Sequence, residues 1–246
     1  MTASQNLSPY QIEFIKLAVE AGCLKFGEFT LKSGRKSPYF FNAGGFSKGG
    51  QLLKMAEAYV DAIVAEGIQF DVIFGPAYKE STGAGCVRRT PPNTGRGIPL
   101  CAAVAMVFAL KYGRDDVPYA FNRKEAKDHG EGGQIIGGPL KGRVLLVDDV
   151  ITAGTAIGES VELLKEYPEG ELVGVMVALD RQEKASLETD KSAVQLASEK
   201  YNISIHSIVQ LESILTYAGN ESEEEVVPKE MVESLRKYQQ EYGVRK

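Results

Sequence analysis

Three short apolar runs along the chain have the character of buried β-strands. They occupy residues 70–75, 142–148 and 172–179, are rich in Val, Ile, Leu or Phe, and end at a glycine–proline pair or at acidic residues. A nearly continuous apolar run indicates a strand that is covered on both faces, as in a parallel sheet.

The segments between and around these runs have the spacing of helices. The pattern predicts helices at 48–66, 98–112 and 156–167, and amphipathic stretches at 9–23, 190–201 and 207–218. Strands that alternate with helices of this length form βαβ units around a largely parallel sheet. The sequence therefore predicts an α/β fold with a mostly parallel sheet flanked by helices.

Two segments depart from this rhythm. Residues 80–96 form a 17-residue stretch with three Gly, two Pro and no period, which is typical of a functional or disordered loop. The tail 221–246 begins with an acidic run and becomes helical at about 228–238. We expect the tail to be a solvated peripheral helix without a functional role, attached to a main domain of residues 1–220.

Composition and charge narrow the classes of function. A net charge of -5 is opposite to the basic excess of a general nucleic-acid binder. Cys23, Cys86 and Cys101 lack the spacing of a disulfide framework or a zinc site, which favours a reduced, cytoplasmic location. Residues 1–9 do not resemble a signal peptide, and the longest apolar run, 101–110, is too short to cross a bilayer.

The run 144–156 carries the strongest chemical signal. An apolar strand ends in Asp148 and Asp149, and a Thr-Ala-Gly-Thr turn then leads into a helix. Ligands bind at the carboxyl ends of such strands, and a helix N-terminus with free backbone N–H groups binds phosphate. Gly154 allows close approach to an anion, while the two carboxylates suit ribose hydroxyls, Mg²⁺ or a developing positive charge. An ordinary strand–turn–helix with a solvated Asp pair is the alternative.

This run resembles the motif with which type I phosphoribosyltransferases bind phosphoribosyl pyrophosphate (PRPP). The resemblance implies a sheet flanked by helices, with a small N-terminal hood. It also implies that residues 152–156 hold the 5-phosphate and that Asp148 and Asp149 lie near the ribose hydroxyls. There they would stabilise positive charge at C1 as pyrophosphate leaves. The remaining PRPP contacts expected from this run are Val150, Ile151, Thr152, Ala153, Gly154, Thr155 and Ala156.

Three further segments narrow the resemblance to the orotate phosphoribosyltransferases. In the first, residues 29–42, Lys32 is expected to reach PRPP, and Phe40 and Phe41 are expected to form a platform for the orotate ring. A flat anionic pyrimidine needs an aromatic or apolar face and hydrogen-bond donors at its edge. Considered alone, the segment would be interpreted as a basic surface turn followed by core aromatics.

The second segment, residues 120–133, combines three cations and a His with terminal glycines. It resembles the family's flexible catalytic loop, which closes over pyrophosphate in the site of the neighbouring subunit. By this resemblance Arg123 and Lys124 would hold pyrophosphate, Lys127 and His129 would act on it as it departs, and the protein would be a homodimer. A solvated charged hairpin is the alternative, and His206, the other histidine, is given no role.

The third segment, residues 178–183, ends a predicted strand with Arg181. The resemblance implies that Arg181 contacts orotate, and the carboxylate is the expected group because the planar guanidinium binds it with a geometric advantage over Lys. Thr152 is expected to touch the base as well. A salt bridge from Arg181 to a neighbouring acid is the competing interpretation.

Residues 74–79 match a family segment in which Tyr78 and Lys79 are expected to contact PRPP. In the family this segment continues directly into the sequence found here at 97–100, whereas the loop 80–96 separates the two halves in this chain. The loop is either a genuine surface excursion or a retained intron that has been translated. Loop-closure entropy costs only about 0.6 kcal/mol per doubling of length, so the placement of Lys79 is the greater concern.

The resemblance implies an Mg²⁺-dependent displacement of pyrophosphate from PRPP by orotate N1, giving orotidine 5′-monophosphate in UMP biosynthesis. Mg²⁺ would be held mainly through PRPP, with Asp148 and Asp149 as candidate ligands. Three alternatives stay open. The first is a transferase for another acceptor base, and the second is a non-catalytic PRPP-binding regulator with the same fold. The third is a folded but inactive enzyme that still binds nucleotide, because of the loop 80–96.

Overall fold

The computed structural model describes residues 6–31, 33–77, 97–127, 133–151, 155–186, 188–220 and 223–244. For residues 124–127, 133, 155 and 156 it describes the backbone alone. Several predicted site residues lie outside the described residues: Lys32, Tyr78, Lys79, His129, Thr152, Ala153 and Gly154.

The described residues form seven α-helices, one short 3-10 helix and eight strands. The helices are α1 (Pro9–Glu20), α2 (Gly49–Ala65), α3 (Gly97–Tyr112), α4 (Thr155–Leu164), α5 (Ala193–Tyr201), α6 (Leu211–Ala218) and α7 (Lys229–Tyr242), with the 3-10 helix at Ala43–Gly45. The strands are β1 (Leu24–Thr30), β2 (Lys36–Phe41), β3 (Val72–Phe74), β4 (Tyr119–Lys127), β5 (Gly133–Gly137), β6 (Gly142–Val150), β7 (Gly170–Asp180) and β8 (Ser204–Gln210).

The main sheet has six strands in the order β5-β4-β3-β6-β7-β8, all parallel except the edge strand β5. Helices α1, α2, α3, α6 and α7 contribute to the hydrophobic cluster on one face, and α4 and α5 contribute to the cluster on the other. Covering both faces explains why the central residues of β6 and β7 are apolar and fully buried. The predicted α/β fold is confirmed.

Two predicted element boundaries are wrong. Residues 207–210 belong to strand β8, not to a helix, because the β-branched run there pairs in parallel with β7; helix α6 begins only at Leu211. The segment 120–133 is not a loop throughout, since β4 extends to Lys127 and pairs with the antiparallel strand β5 from Gly133. Its backbone therefore agrees with the hairpin interpretation.

A separate two-stranded antiparallel sheet, β1-β2, forms the hood predicted near the N-terminus. Helix α7 packs against β2 and α6. Leu235 of α7 has no exposed surface, and Tyr238 is buried against Tyr39 of β2, with the two rings edge-to-face at 6.1 Å. The expectation of a solvated peripheral helix is therefore wrong on this face of α7.

Within the described ranges, no helix combines the length and the apolar character that crossing a bilayer would require.

Candidate functional site

The carboxyl ends of β3 and β6 lie at one edge of the main sheet, beside the first half of β4, which continues beyond them to Lys127. Phe74 of β3 lies opposite Ala120 of β4 and Leu146 of β6. Two residues further along each strand, this register brings Pro76, Asn122 and Asp148 to the same level. The edge therefore assembles the strand exit before Tyr78, the cationic segment of β4 and the acidic pair of β6.

The acidic pair is held by its own backbone. Asp148 is buried, and its Oδ1 accepts a hydrogen bond from the Asp149 N–H at 2.8 Å. Asp149 Oδ1 accepts from the Val150 N–H at 2.8 Å. Backbone donors reduce the cost of burying a carboxylate, so these bonds help to fix both side chains near the end of the strand.

Tyr59 of α2 supports the acidic pair from behind. Its hydroxyl donates to the Asp148 carbonyl oxygen at 2.6 Å, and its ring is fully buried. Burial raises the pKa of Tyr59 well above its usual value, with Asp149 and Asp148 adding to the effect. Tyr59 is therefore a permanent neutral donor to this strand end. Sequence reasoning missed it, and the available signal was a tyrosine on the apolar face of a helix, where its hydroxyl needs a partner.

Asn122, inside β4, connects this strand to the chain that leaves β3. Its Oδ1 accepts from the Ala77 N–H at 2.7 Å, and its Nδ2 donates to the Ala77 carbonyl oxygen at 3.3 Å. This two-point contact continues the pairing of β3 with β4 beyond the last backbone pair, Phe74 with Ala120. It fixes the chain immediately before Tyr78 and Lys79. Sequence reasoning missed this residue too, although an Asn inside a strand, where the residue is disfavoured, was a signal.

Helix α3 begins directly against the exit of β3. A Cβ added to Gly75 would lie 2.0 Å from the Gly97 carbonyl oxygen and 2.7 Å from Cys101 Sγ. A Cβ added to Gly97 would lie 2.5 Å from the Pro76 carbonyl oxygen. Only glycines allow this approach, and it brings the two ends of the segment 78–96 together at the sheet edge. The predicted start of a helix at about Gly97 is confirmed.

Arg181 follows β7 and reaches into the hood. Its Nε and Nη2 lie 2.7 and 2.6 Å from Glu183 Oε1, and Nη2 also donates to Ser37 Oγ at 3.2 Å. The guanidinium carbon lies 4.3 Å from the centre of the Tyr39 ring. This geometry contains the salt bridge of the competing interpretation; contact between Arg181 and orotate stays a prediction.

Phe40 and Phe41 point to opposite faces of β2, as consecutive strand residues must. Phe40 is 39% exposed and stacks on Phe29 with ring centres 5.6 Å apart. Phe41 is 8% exposed and packs against Phe14 in the core. Phe40 thus offers the open aromatic face, and Phe41 lies beneath the hood; their contact with orotate stays a prediction.

The remaining predicted residues lie on the elements that the motif implies. Arg123 is half-buried on β4, and the backbones of Lys124 and Lys127 continue that strand. Val150 ends β6, Ile151 follows it, and the backbones of Thr155 and Ala156 form the first turn of α4. No group of three or more His, Cys, Asp or Glu side chains in the described ranges could hold a metal ion by itself.

Comparison with known proteins first defines the class. The family model of the phosphoribosyl transferase domain matches residues 94–214. The chain is 47% identical to the orotate phosphoribosyltransferase of Stutzerimonas stutzeri over 238 residues, which covers 97% of this chain and 100% of that one. It is 46% identical to the Klebsiella pneumoniae orotate phosphoribosyltransferase over the same share of both.

The crystal structure of orotate phosphoribosyltransferase from Francisella tularensis superposes with a TM-score of 0.75 at 42% identity, covering 94% of this chain and 98% of that one. The chain therefore belongs to the orotate phosphoribosyltransferase family, and it is an enzyme of the pentosyltransferase class.

Proposed function

We propose that the protein transfers the ribose 5-phosphate group of PRPP to orotate, releases pyrophosphate and so contributes orotidine 5′-monophosphate to UMP biosynthesis. The observation that carries the proposal is the buried Asp148, which lies two residues before the end of β6 and shortly before α4, in a chain 47% identical to an orotate phosphoribosyltransferase. A non-catalytic PRPP-binding regulator would also need the phosphate-binding turn and the acidic pair at the ribose, whereas the cationic segment with Lys127 and His129 favours catalysis.

The 5-phosphate is assigned to the turn 152–156. Helix α4 begins at Thr155, so its unpaired N–H groups and the positive end of its dipole are directed toward this turn. The acidic pair lies shortly before this turn in the sequence, at the position where the ribose of PRPP would lie next to its 5-phosphate. The assignment of the residues from Val150 to Ala156 to PRPP rests on this order of anion-binding and acidic groups.

Asp148 and Asp149 are assigned to the ribose hydroxyls and to the positive charge that develops at C1. Both carboxylates are fixed before substrate arrives by the hydrogen bonds to the backbone of the next residue. Preorganised charge in a site shielded from water stabilises a transition state more than the same charge in solvent. Orotate, already deprotonated at N1, forms the N1–C1 bond as the bond from C1 to the pyrophosphate oxygen breaks and pyrophosphate leaves. The acidic pair lowers the barrier by stabilising the positive charge that develops on C1.

Mg²⁺ fits this donor set as an ion shared with the substrate. It prefers oxygen ligands, keeps several waters and is usually bound through one or two carboxylates plus phosphate oxygens. Asp148 and Asp149 are the carboxylates available at the edge. When bound, Mg²⁺ would neutralise part of the charge on the pyrophosphate group.

The departing pyrophosphate is assigned to Arg123, Lys124, Lys127 and His129, together with Lys32, Tyr78 and Lys79. Arg123 and the backbones of Lys124 and Lys127 lie on β4, next to the exit of β3 that leads to Tyr78 and Lys79. The hairpin formed by β4 and β5 is thus the base from which residues 123–133 would extend. In the proposed homodimer they would extend into the site of the second subunit.

The homodimer is supported by an exposed apolar face on α3. Met106 is 63% and Leu110 78% exposed, and their i, i+4 spacing puts both on one face of the helix. Contiguous exposed apolar residues mark interaction surfaces, and we assign this face to a second copy of the chain. Leu110→Glu should convert a dimer into a monomer in analytical ultracentrifugation, whereas a wild-type monomer would contradict the assignment.

Orotate is assigned to the side of the site under the hood. Phe40 presents the open aromatic face, Arg181 supplies a guanidinium, and Phe41 and Thr152 complete the predicted set. The cytoplasm is the proposed compartment, supported by cysteines without disulfide spacing and by two buried thiols, Cys23 and Cys101.

The direct test follows the ultraviolet absorbance of orotate in the presence of PRPP and Mg²⁺. We expect the absorbance of orotate to fall only when protein, PRPP and Mg²⁺ are all present. The protein should not transfer the ribose 5-phosphate group to adenine or hypoxanthine, and Lys127→Ala should show no fall in orotate absorbance. If the wild-type protein is inactive, the same assay is repeated on a variant that lacks residues 80–96. Gly75 lies against Gly97, so in this variant Tyr78 and Lys79 alone can connect Ala77 to Gly97. Inactivity of both proteins would contradict the proposed function.

A further inference from the structure

The end of the chain pairs with the segment that carries Arg181. The Lys184 N–H donates to the Tyr242 carbonyl oxygen at 2.8 Å, and the Val244 N–H donates to the Gln182 carbonyl oxygen at 2.9 Å. Glu183 and Gly243 form an antiparallel bridge between them. The residues directly after β7 are therefore held by the residues directly after α7.

Helix α7 also holds the hood strand. The Tyr238 ring meets Tyr39 edge-to-face, and the Arg35 guanidinium lies 5.1 Å from the centre of the Tyr242 ring. Arg35 Nη1 in turn donates to the Lys184 carbonyl oxygen at 2.8 Å. One helix thus contacts both elements between which orotate is expected.

Glu183 lies at the centre of this arrangement and is largely buried. Its Oε1 accepts from Arg181 and, at 3.4 Å, from the Tyr39 hydroxyl, while its Oε2 lies 3.8 Å from Arg35 Nη1. Two guanidinium groups share this one carboxylate. The nearby Asp180 carboxylate accepts from the Gln182 N–H.

We propose that α7 and its carboxyl end position the orotate side of the site, with Tyr238 and Glu183 as positioning residues. Tyr238 fixes Tyr39, on whose ring Arg181 lies, and Glu183 fixes the orientation of the Arg181 guanidinium. The inference rests on the proposed function and on the predicted contact of Arg181 with orotate. It adds that recognition of the pyrimidine depends on the C-terminal helix.

The proposal predicts a selective effect on one substrate. The main contacts of α7 are with α6 and β2. The residues assigned to PRPP, apart from Lys32 between β1 and β2 in the sequence, lie on β4 and β6 or follow β3, β4 and β6. A less firmly positioned Arg181 should therefore weaken the binding of orotate without moving the acidic pair or the phosphate-binding turn. If α7 had only a structural role, a substitution in it would instead change the KM of both substrates to a similar extent, or change only the stability of the protein.

The experiment measures KM for orotate and for PRPP in Tyr238→Ala, with Gln240→Ala on the exposed face of the same helix as the matched control. We expect the orotate KM to rise at least tenfold in Tyr238→Ala, with the PRPP KM within twofold of wild type and the circular dichroism spectrum unchanged. Tyr238→Phe keeps the ring and should recover most of the lost affinity. Gln240→Ala should match wild type in both constants.

Glu183→Gln provides a second route that keeps the volume of the side chain. It should raise the orotate KM with little change in the PRPP KM, and it decides the matter if Tyr238→Ala does not fold. Equal changes in both KM values, or an unchanged orotate KM in folded variants, would overturn the positioning role of α7. Turnover by the wild-type protein would still support the proposed function in that case. Absence of turnover in wild type would instead count against the function itself.

Discussion

The sheet edge and the hood of this protein are built in different ways. At the sheet edge, the acidic pair and the start of α4 lie close together in sequence, so one strand and the helix that follows it position both. On the hood side, Arg35, Tyr39, Arg181, Glu183 and Tyr238 come from three distant parts of the chain. A site made from one continuous run can be recognised in a sequence, whereas one made by tertiary packing cannot.

The comparison also separates two kinds of support. The acidic pair is oriented by backbone N–H groups of the next residue and by one buried hydroxyl, Tyr59. Arg181 is oriented by an ion pair, an aromatic ring and the pairing of two chain segments. The support of the acidic pair should survive most distant substitutions, whereas the support of Arg181 depends on the packing of helix α7.

The largest expected effect is at the sheet edge. Asp148→Asn keeps the shape of the side chain and an oxygen for the Asp149 N–H, but it removes the negative charge assigned to C1. We expect kcat to fall on the order of 10²–10³-fold, as when a preorganised charge-stabilising group is lost elsewhere. The rate of orotidine 5′-monophosphate formation measures this, with Asp71→Asn as a remote control. A loss of less than tenfold would contradict the role of Asp148.

The next effect concerns stability on the hood side. Leu235 has no exposed surface, so Leu235→Ala leaves a cavity beneath α7 and should lower the free energy of unfolding by about 2–3 kcal/mol. Denaturant unfolding measures the change, and Leu196→Ala at an exposed position of α5 should cost much less. Equal small losses in both variants would mean that α7 is peripheral after all.

A third effect sharpens the contrast between the two substrates. Asn122→Ala removes both hydrogen bonds to Ala77 and should release the chain before Tyr78 and Lys79. We expect the PRPP KM to rise roughly tenfold, equivalent to about 1.4 kcal/mol, while the orotate KM stays close to wild type. Steady-state kinetics with each substrate varied in turn measure both constants. An unchanged PRPP KM would remove Asn122 from the site.

The smallest effect lies at the opposite end of β3 and β6. Asp71 accepts from the Arg143 N–H at 2.7 Å and from its Nε and Nη2 at 3.0 and 2.8 Å. These bonds lower the pKa of Asp71 to about 2. Because the folded-state pKa is below the unfolded one, the pair stabilises the fold above about pH 4 and loses that contribution as the pH falls toward 2.

Asp71→Asn should therefore destabilise the protein slightly at pH 7, with a difference from wild type that shrinks as the pH approaches 2. Unfolding midpoints across this range measure the difference, which is small because both side chains are exposed. Both KM values should be unchanged. A difference that grows on acidification would contradict the assigned pKa.

Sequence reasoning succeeded where a pattern is local. The apolar runs predicted three strands of the parallel sheet, the periodicity predicted helices close to α2, α3 and α4, and the acidic pair with its turn indicated the PRPP motif. It failed where pairing decides the structure. Residues 207–210 form a strand because β7 offers them a parallel partner, and residues 120–127 form a strand because β3 and β5 lie on either side.

The residues missed at the site share one property: their role exists only in the folded chain. Asn122 acts on Ala77, Tyr59 acts on Asp148, and α7 acts on β2 across nearly the whole length of the sequence. The tail has few apolar residues, so its composition did not indicate the buried side chains through which α7 packs against the rest of the protein. A periodicity that places Leu235, Tyr238 and Tyr242 on one helical face was the available signal.

The central claim is that PRPP and orotate are recognised by two regions that are positioned independently. The most direct test measures both KM values in Asn122→Ala, in Tyr238→Ala and in the double variant. We predict that the first substitution raises only the PRPP KM, that the second raises only the orotate KM, and that the double variant shows both changes independently. If each substitution raised both constants to a similar extent, the two regions would act as one and the account would be contradicted.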